Sequence, residues 1–318
     1  MREMRSYYLK EFLNYFWLRP ENALLLSLRA EVYQSTLKYF GDGSGTIDVS
    51  CGDGAFSFIV FGGILSKKTD MFRSLDLTSK GKGNFDSFDS FDAFDAFSDE
   101  YLVEVEKTPN KSYEIGIDWK NNLLLKAGKL NWYGNLIKHD NNITLPFDNE
   151  RMKYVYSNSL HWVENYIDHL NDLARITSKG GKIVLHFRAT NSQKFISDKC
   201  LPFMGRKFHE IVYPGRPPKW MKLYSKDQLL TLLEDIPETR IVDVVPIYGD
   251  IMAIIWDIGL RPLFRPLAKM ANSLSDDERI SVKEEWNQTF VGLFTEFLET
   301  YETNDNSAVE YLVILEKT

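Results

Sequence analysis

A chain of 318 residues with 44% hydrophobic and 14% aromatic side chains can bury a substantial core, which excludes an intrinsically disordered protein. With 45 acidic against 38 basic residues the net charge is −7, so a nucleic-acid partner is not expected. Two cysteines, Cys51 and Cys200, are too few for a disulfide framework or a zinc site and fit a reducing compartment.

The N-terminal "MREMRSYYLKEFLNYFWLRP" lacks the unbroken apolar core of a signal peptide. No run reaches about 18 apolar residues, so no transmembrane span is expected and the cytoplasm is the default location. Residues 7–39 repeat apolar side chains at helical spacing, with a break at Pro20, and "GDGSG" (41–45) reads as a turn. Ile47 and Val49 read as a short strand, and "AFSFIVFGGIL" (55–65) as a helix. Between them Ser50-Cys51-Gly52-Asp53-Gly54 forms a corner where backbone can approach a ligand, because glycine has no Cβ and reaches positive φ.

Residues 67–112 read as an insertion. It carries "FDSFDSFDAFDAF" (85–97), a Phe-Asp-small triplet, and a period of three slips about 60° around a helix axis at each step. A carboxylate comb for Ca²⁺ would need a glycine turn and a bidentate Glu that are missing here. The plainer expectation is a surface segment with its phenylalanines partly tucked onto the domain.

Strand signals resume at "YEIGIDW" (113–119), followed by helix-like "KNNLLLKAGKL" and the strands "NLIKHD" (135–140) and "MKYVYSNS" (152–159). A helix over 162–176, a turn "TSKGG" and a strand "KIVLHF" (182–187) come next, then a helix over 225–236 and a strand over 239–247. A mostly helical block (251–301) precedes a final strand in "AVEYLVILEKT" (308–318). Such alternation predicts an α/β architecture, a parallel sheet with helices on both faces.

The corner is not the dinucleotide fingerprint, because Ser57 stands where a third glycine is required. In order along the chain, "DVSCGDG", "GIDW", "HDNNITLPFDNERMKYVYSNSLHWVEN", "LARITSKGGKIVLHF" and "YLVILEKT" together resemble the class I S-adenosylmethionine-dependent methyltransferases. The resemblance spans 46–66, 113–188 and 225–318. It implies one methyltransferase-like domain over 1–318: a Rossmann-like doubly wound seven-stranded sheet, mostly parallel with an antiparallel last strand. Residues 1–40 would form a helical lid, 67–112 an insertion, and 194–224 and 251–306 acceptor-side insertions.

The implied cofactor is S-adenosylmethionine, and the implied binding residues are Asp48, Ser50, Gly52, Gly54, Asp118, Trp119, Asp140, Asn141 and Ser157. Gly52 and Gly54 would let backbone pass close to the ligand, and Asp48 would stand near its amino group. Asp118 would accept both ribose hydroxyl protons, since an ionised carboxylate is an acceptor with two oxygens. Trp119 would cover adenine, and Asp140 with Asn141 would meet the adenine amine; a turn or helix cap is the plain alternative for a strand-end Asp. Ser50 replaces the first glycine of the usual triplet. The spacing from Asp53 to Asp118 also exceeds the usual gap of about 20 residues, so the insertion must loop out.

Methyl transfer needs a base only when the nucleophile is an unactivated hydroxyl or an ammonium. His161 is the candidate base, with lining of the cofactor pocket or a helix cap as its plain alternatives. His186 is second, while His139, His169 and His209 read as surface or structural. No metal site is expected. The basic and aromatic stretch 194–226 suggests a small-molecule acceptor that is anionic and partly apolar, of a glycan- or lipid-precursor kind. "IMAIIWDIGLRPLFRPLAKM" (251–270) reads as a core helix with a Pro-broken connection, or as a peripheral membrane contact. A non-catalytic cofactor-binding scaffold of the same fold is the alternative function, and a nicotinamide oxidoreductase a third.

Overall fold

The computed structural model describes residues 2–73, 95–158, 160–194, 202, 205–207 and 223–318. Nine strands are described: β1 (Thr46–Val49), β2 (Ile64–Leu65), β3 (Val105–Lys107), β4 (Ile115–Asp118), β5 (Asn135–Lys138), β6 (Met152–Ser157), β7 (Thr177–Arg188), β8 (Thr239–Tyr248) and β9 (Glu310–Lys317). The described α-helices are α1 (Arg2–Phe16), α2 (Pro20–Gln34), α3 (Ala55–Val60), α4 (Asn121–Lys129), α5 (Tyr166–Ile176), α6 (Lys226–Glu234), α7 (Asp250–Ile254), α8 (Phe264–Ala271) and α9 (Asp276–Thr300).

Seven strands form one sheet in the order β5-β4-β1-β6-β7-β9-β8. Neighbours from β5 to β7 run parallel, and β9 is antiparallel to both β7 and β8. The strand order reverses between β1 and β6, and in doubly wound sheets that switch point opens a crevice at the carboxyl edge. Strand residues alternate between two apolar layers, as a side-chain period of two requires. Tyr154 and Tyr156 of β6 face the layer built with α1 and α2, while Val155 faces the layer built with α5 and α6.

The two N-terminal helices are a packed layer of the core. Leu9, Phe12, Leu13 and Tyr15 of α1 and Leu24 and Leu28 of α2 are buried, and each such side chain contributes about 1.5–3 kcal/mol. Pro20 starts α2, where its missing N–H costs nothing and its fixed φ suits the first turn. Buried hydroxyls find partners across the layer: Tyr33 with Tyr113, and Thr36 with Tyr154 at 2.7 Å.

The insertion closes at its base. β2 pairs antiparallel with β3, and Asp70 bridges to Leu102, so the chain leaves and returns at one place. At the end of the Phe-Asp repeat, Asp95 accepts from Lys120 Nζ at 2.8 Å and the Phe97 ring lies 5.6 Å from that of Tyr101. Residues 85–94 of the repeat lie outside the described residues.

Two local expectations are corrected. The helix after the corner stops at Val60; Gly62 has φ +91°, and a Cβ on Gly63 would come within 2.3 Å of the Phe58 ring, so the chain turns there into β2. "TSKGG" is not a turn but the beginning of β7, whose register against β6 shifts between Met152 and Tyr154 to absorb it. The 251–301 block is helical as expected, and no helix among the described residues is long and apolar enough to cross a membrane.

Candidate functional site

The corner lies at the carboxyl end of β1, beside the switch point. Ser50, Gly52 and Gly54 have φ of +62°, +61° and +75°, so alternate residues occupy the left-handed region. That geometry explains why glycine suits all three positions, and why Ser50 carries backbone strain. Ser50 is held there by Asn141, whose Nδ2 donates to its Oγ at 2.7 Å.

The glycines divide the work. A Cβ on Gly54 would fall 2.7 Å from Tyr133 Cε2, so the room that Gly54 makes is taken by a protein side chain. This corrects the expectation that both glycines clear a path for ligand. A Cβ on Gly52 meets nothing within 4 Å, so Gly52 is the residue that faces open space.

Asp118 ends β4, one strand from β1, with Asp48 paired in register to Gly116. Its Oδ2 accepts from the Gly52 amide at 3.1 Å and its Oδ1 from the Lys120 amide at 2.8 Å. Burial pushes its carboxyl up, and these two amide donors pull it back. Asp48 is buried; its Oδ2 accepts from Ser57 Oγ at 2.7 Å and from Tyr133 OH at 2.8 Å. Burial lifts its pKa to about 6, against the pull of those two hydroxyls.

Asp53 completes an acidic ring. It accepts from Tyr15 OH at 2.8 Å, which ties α1 directly to the corner, and Tyr15 in turn meets Tyr101 OH at 2.7 Å. Burial first, then Asp48, Asp118 and Asp53 together, push the Cys51 thiol well up, so it stays protonated. Three carboxylates around one corner create a negative field suited to a cationic ligand.

The other expected residues take distinct positions. Ser157 pairs in register with Val49 across the switch point; it is fully buried and its Oγ has no partner among the described residues. Asn141 Oδ1 is buried without a partner in the same way. Asp140 spends one carboxylate oxygen on a turn, accepting from Asn142 N at 3.0 Å and Asn142 Nδ2 at 2.9 Å. Trp119 is 61% exposed, with Lys120 Nζ 5.5 Å from its ring centre. A cleft of about 540 Å³ adjoins the corner through Asn141 and is also lined by Asn142, Thr144, Asp168 and His169. The orphaned Ser157 and Asn141 atoms, the open side of Gly52 and the acidic ring fit a polar, positively charged cofactor.

His161 is half-buried in a short 3₁₀ turn, Leu160–Trp162, after β6. Burial first, then Arg188, hold its pKa well below the usual imidazole range, with Glu310 opposing. His186 lies in the core, not at a free strand end: its Nδ1 is 3.0 Å from Glu310 Oε1 and its Nε2 3.3 Å from Tyr156 OH. Glu310 receives both Nε and Nη2 of Arg29 at 2.6 Å. His139 and His169 are buried rather than surface residues; His209 lies outside the described residues, as do Lys199, Arg216, Lys219 and Lys222 of the basic stretch.

Sequence reasoning missed Tyr133, Ser57 and Tyr15 as partners of the acidic ring, and the Arg29–Glu310–His186–Tyr156 chain. Only Ser57 carried a signal, as the residue standing in place of a glycine.

No family model and no curated protein matches the sequence. Among solved structures the chain is similar to the [4+2]-cyclase SpnF, at 12% identity over 92% of this chain and 81% of that one, with a TM-score of 0.46. It is also similar to the geranyl diphosphate C-methyltransferase of Streptomyces coelicolor A3(2), crystallised with Mg²⁺, geranyl diphosphate and S-adenosyl-L-homocysteine. There the identity is 12%, coverage 92% and 79%, and the TM-score 0.43. A third, YcgJ from Bacillus, is 10% identical over 90% and 94%, with a TM-score of 0.40. These likenesses are too distant to bear on chemistry, and the strand order speaks for itself. Its reversal between β1 and β6 and its antiparallel last strand in the penultimate place give this chain the fold of the class I S-adenosylmethionine-dependent methyltransferases.

Proposed function

We propose that this chain is an S-adenosylmethionine-dependent methyltransferase acting on a small-molecule acceptor of a glycan- or lipid-precursor kind. The observation that carries the reading is the Asp118 carboxylate, 3.1 Å from the amide of Gly52 at the switch point. The bound cofactor supplies a methyl group on a sulfonium, which needs little from the protein beyond alignment and exclusion of water. Asp118 would accept from the ribose hydroxyls, and Asp48 would balance the amino group. Gly52 would let backbone approach the ligand, while Ser157 and Asn141 would offer it their unpartnered polar atoms. Trp119 and Asp140 would border the adenine.

His161 has the attributes of a base that removes a proton from the acceptor. It is held neutral by burial and by Arg188, so it can accept a proton at neutral pH. The α1 layer, pinned to Asp53 through Tyr15, would keep water from the reacting atoms.

Isothermal titration with S-adenosylmethionine and S-adenosylhomocysteine tests the reading, followed by transfer of labelled methyl in a cell extract. Saturable binding of both and label on a small molecule are expected. No heat with either compound refutes it, and binding without transfer to any acceptor favours the scaffold alternative.

A further inference from the structure

Between β5 and β6 the chain runs from 139 to 151 without a helix, although a crossover between parallel strands is usually helical. The flank of α5 is left uncovered there, and the cleft of about 540 Å³ occupies the space. Its outer wall is the loop itself, pinned to α5 at both ends. Before the start of the helix, Asn142 Oδ1 accepts from the amide of Glu164 at 2.7 Å. Near the helix end, Arg175 donates to Phe147 O at 2.7 Å and to Leu145 O at 3.0 Å, while Asp172 Oδ2 accepts from Leu145 N at 2.5 Å. The walls are therefore in place before any ligand arrives, and the volume falls within the range of about 300–1,000 Å³ of small-molecule sites.

His169 stands on the wall of this cleft, 3% exposed, with neither ring nitrogen partnered among the described residues. Tyr166, Leu170 and Leu173 turn α5 toward the core, and His169 sits at the edge of that apolar face. Buried polar atoms are nearly always hydrogen-bonded, so two on one ring mark a place for a partner. Burial first, with Asp172 opposing and His139 adding to it, brings the His169 pKa down to about 4, so the ring is neutral at pH 7. A neutral imidazole offers one N–H donor and one bare nitrogen. Its occupant must therefore both accept and donate.

Charge and shape narrow the class. Arg175 is the cation of the cleft, and its three nitrogens already donate to Asp172, Leu145, Phe147 and Asn149. With Asp168 also on the wall, an anion finds no free cation among the described lining residues. No Phe, Tyr or Trp among the described residues lines the cleft, so a planar base has no ring to stack on. Thr144 and Asn171 carry donors and acceptors together. A hydroxyl does both from one atom, which suits the imidazole and the amides alike.

We propose that the cleft between the 139–151 loop and α5 binds a neutral, hydroxyl-rich molecule, a sugar or a polyol, with His169 as its recognition residue. The site is distinct from the donor crevice and shares one wall with it at Asn141, whose Nδ2 holds Ser50 at the corner. It stands whether or not the chain binds a methyl donor.

Saturation-transfer difference NMR on the full chain tests the site. The probes are glucose, galactose, mannose, N-acetylglucosamine, myo-inositol and glycerol, with malonate and uracil as anionic and planar controls. A saturable signal from at least one of the six, and none from the controls, is expected. His169→Phe keeps a ring but leaves no buried polar atom, so it should melt no lower than the parent. It should raise the dissociation constant for the responding probe at least tenfold. Asn171→Trp places bulk in the cleft from an exposed position and should do the same without touching the core. An affinity unchanged in either folded variant overturns the proposal, as does a response from the controls alone. Absence of any saturable signal also overturns it and leaves the ring to ordered water.

Discussion

The carboxylate of Asp118 accepts a hydrogen bond from the amide of Gly52, 66 positions earlier, at 3.1 Å. One acid thus fixes the glycine turn and leaves acceptor capacity for a ligand in the same crevice. Asp118→Ala is expected to weaken S-adenosylhomocysteine binding by at least about tenfold, since hydrogen bonds to a charged group are worth about 1.5–3 kcal/mol. Titration calorimetry checks it, with circular dichroism to show that the sheet persists. An unchanged affinity would sink the ribose role.

The two glycines of the corner should respond differently to the same methyl group. Gly52→Ala meets open space but keeps φ near +61°, so a loss of about 1 kcal/mol in stability is expected. Gly54→Ala adds a clash with Tyr133 at 2.7 Å to the same strain and should cost about 2–4 kcal/mol. Only the first should reduce donor affinity more than stability. Urea unfolding of both variants, paired with calorimetry, gives the comparison.

The corner was legible in sequence because its requirements are local. Alternating residues at positive φ demand glycine, and a strand-end acid beside them needs no distant partner to be recognised. The partners were not legible. Tyr133 reaches Asp48 across 85 positions and Tyr15 reaches Asp53 across 38, and neither aromatic differs in type from those that merely fill the core. "TSKGG" misled for the opposite reason. Gly180 has φ +76°, as a turn residue should, yet pairing of Thr177 with Met152 and of Lys182 with Tyr154 of β6 draws the segment into one long strand. The stretch 194–224, expected on the acceptor side, falls mostly outside the described residues.

Asp48 should make stability fall with rising pH. Its folded pKa of about 6 lies above the unfolded value near 3.9, so between those limits the folded state binds more protons. Ionisation therefore removes up to about 3 kcal/mol from stability, lost progressively between about pH 4 and pH 6 and constant above that. Asp48→Asn cannot ionise, so its stability relative to the parent should improve by as much between pH 4 and pH 7. Urea unfolding at both pH values measures this. Binding of the cationic donor should tighten through about pH 6 in the parent and stay flat in the variant.

The Arg29–Glu310 pair behaves in the other sense. Burial opposes ionisation of Glu310, but the Arg29 guanidinium and His186 hold it well below the usual carboxylate range. Its contribution is present at neutral pH and is lost as pH falls into the acid range. Either Arg29→Met or Glu310→Gln leaves the other member buried without its partner, and each should cost about 3–5 kcal/mol. The double variant Arg29→Met/Glu310→Met should lose less than the sum, because neither charge is then stranded. Full additivity in urea unfolding would show that the two do not act as a unit.

His161 separates chemistry from binding. Its imidazole is kept neutral by burial and Arg188, so it is ready to take a proton at pH 7. A positioned base contributes about 10²–10⁴-fold, and only when the acceptor must lose a proton in the transition state. His161→Gln should therefore leave the S-adenosylhomocysteine dissociation constant unchanged while kcat falls at least about 100-fold at saturating donor. The pH profile is the sharper readout. The acidic limb of kcat should report a group titrating below the ordinary imidazole range in the parent and disappear in the variant. If turnover survives with its acidic limb intact, the imidazole lines the pocket, and the acceptor delivers a nucleophile that needs no base.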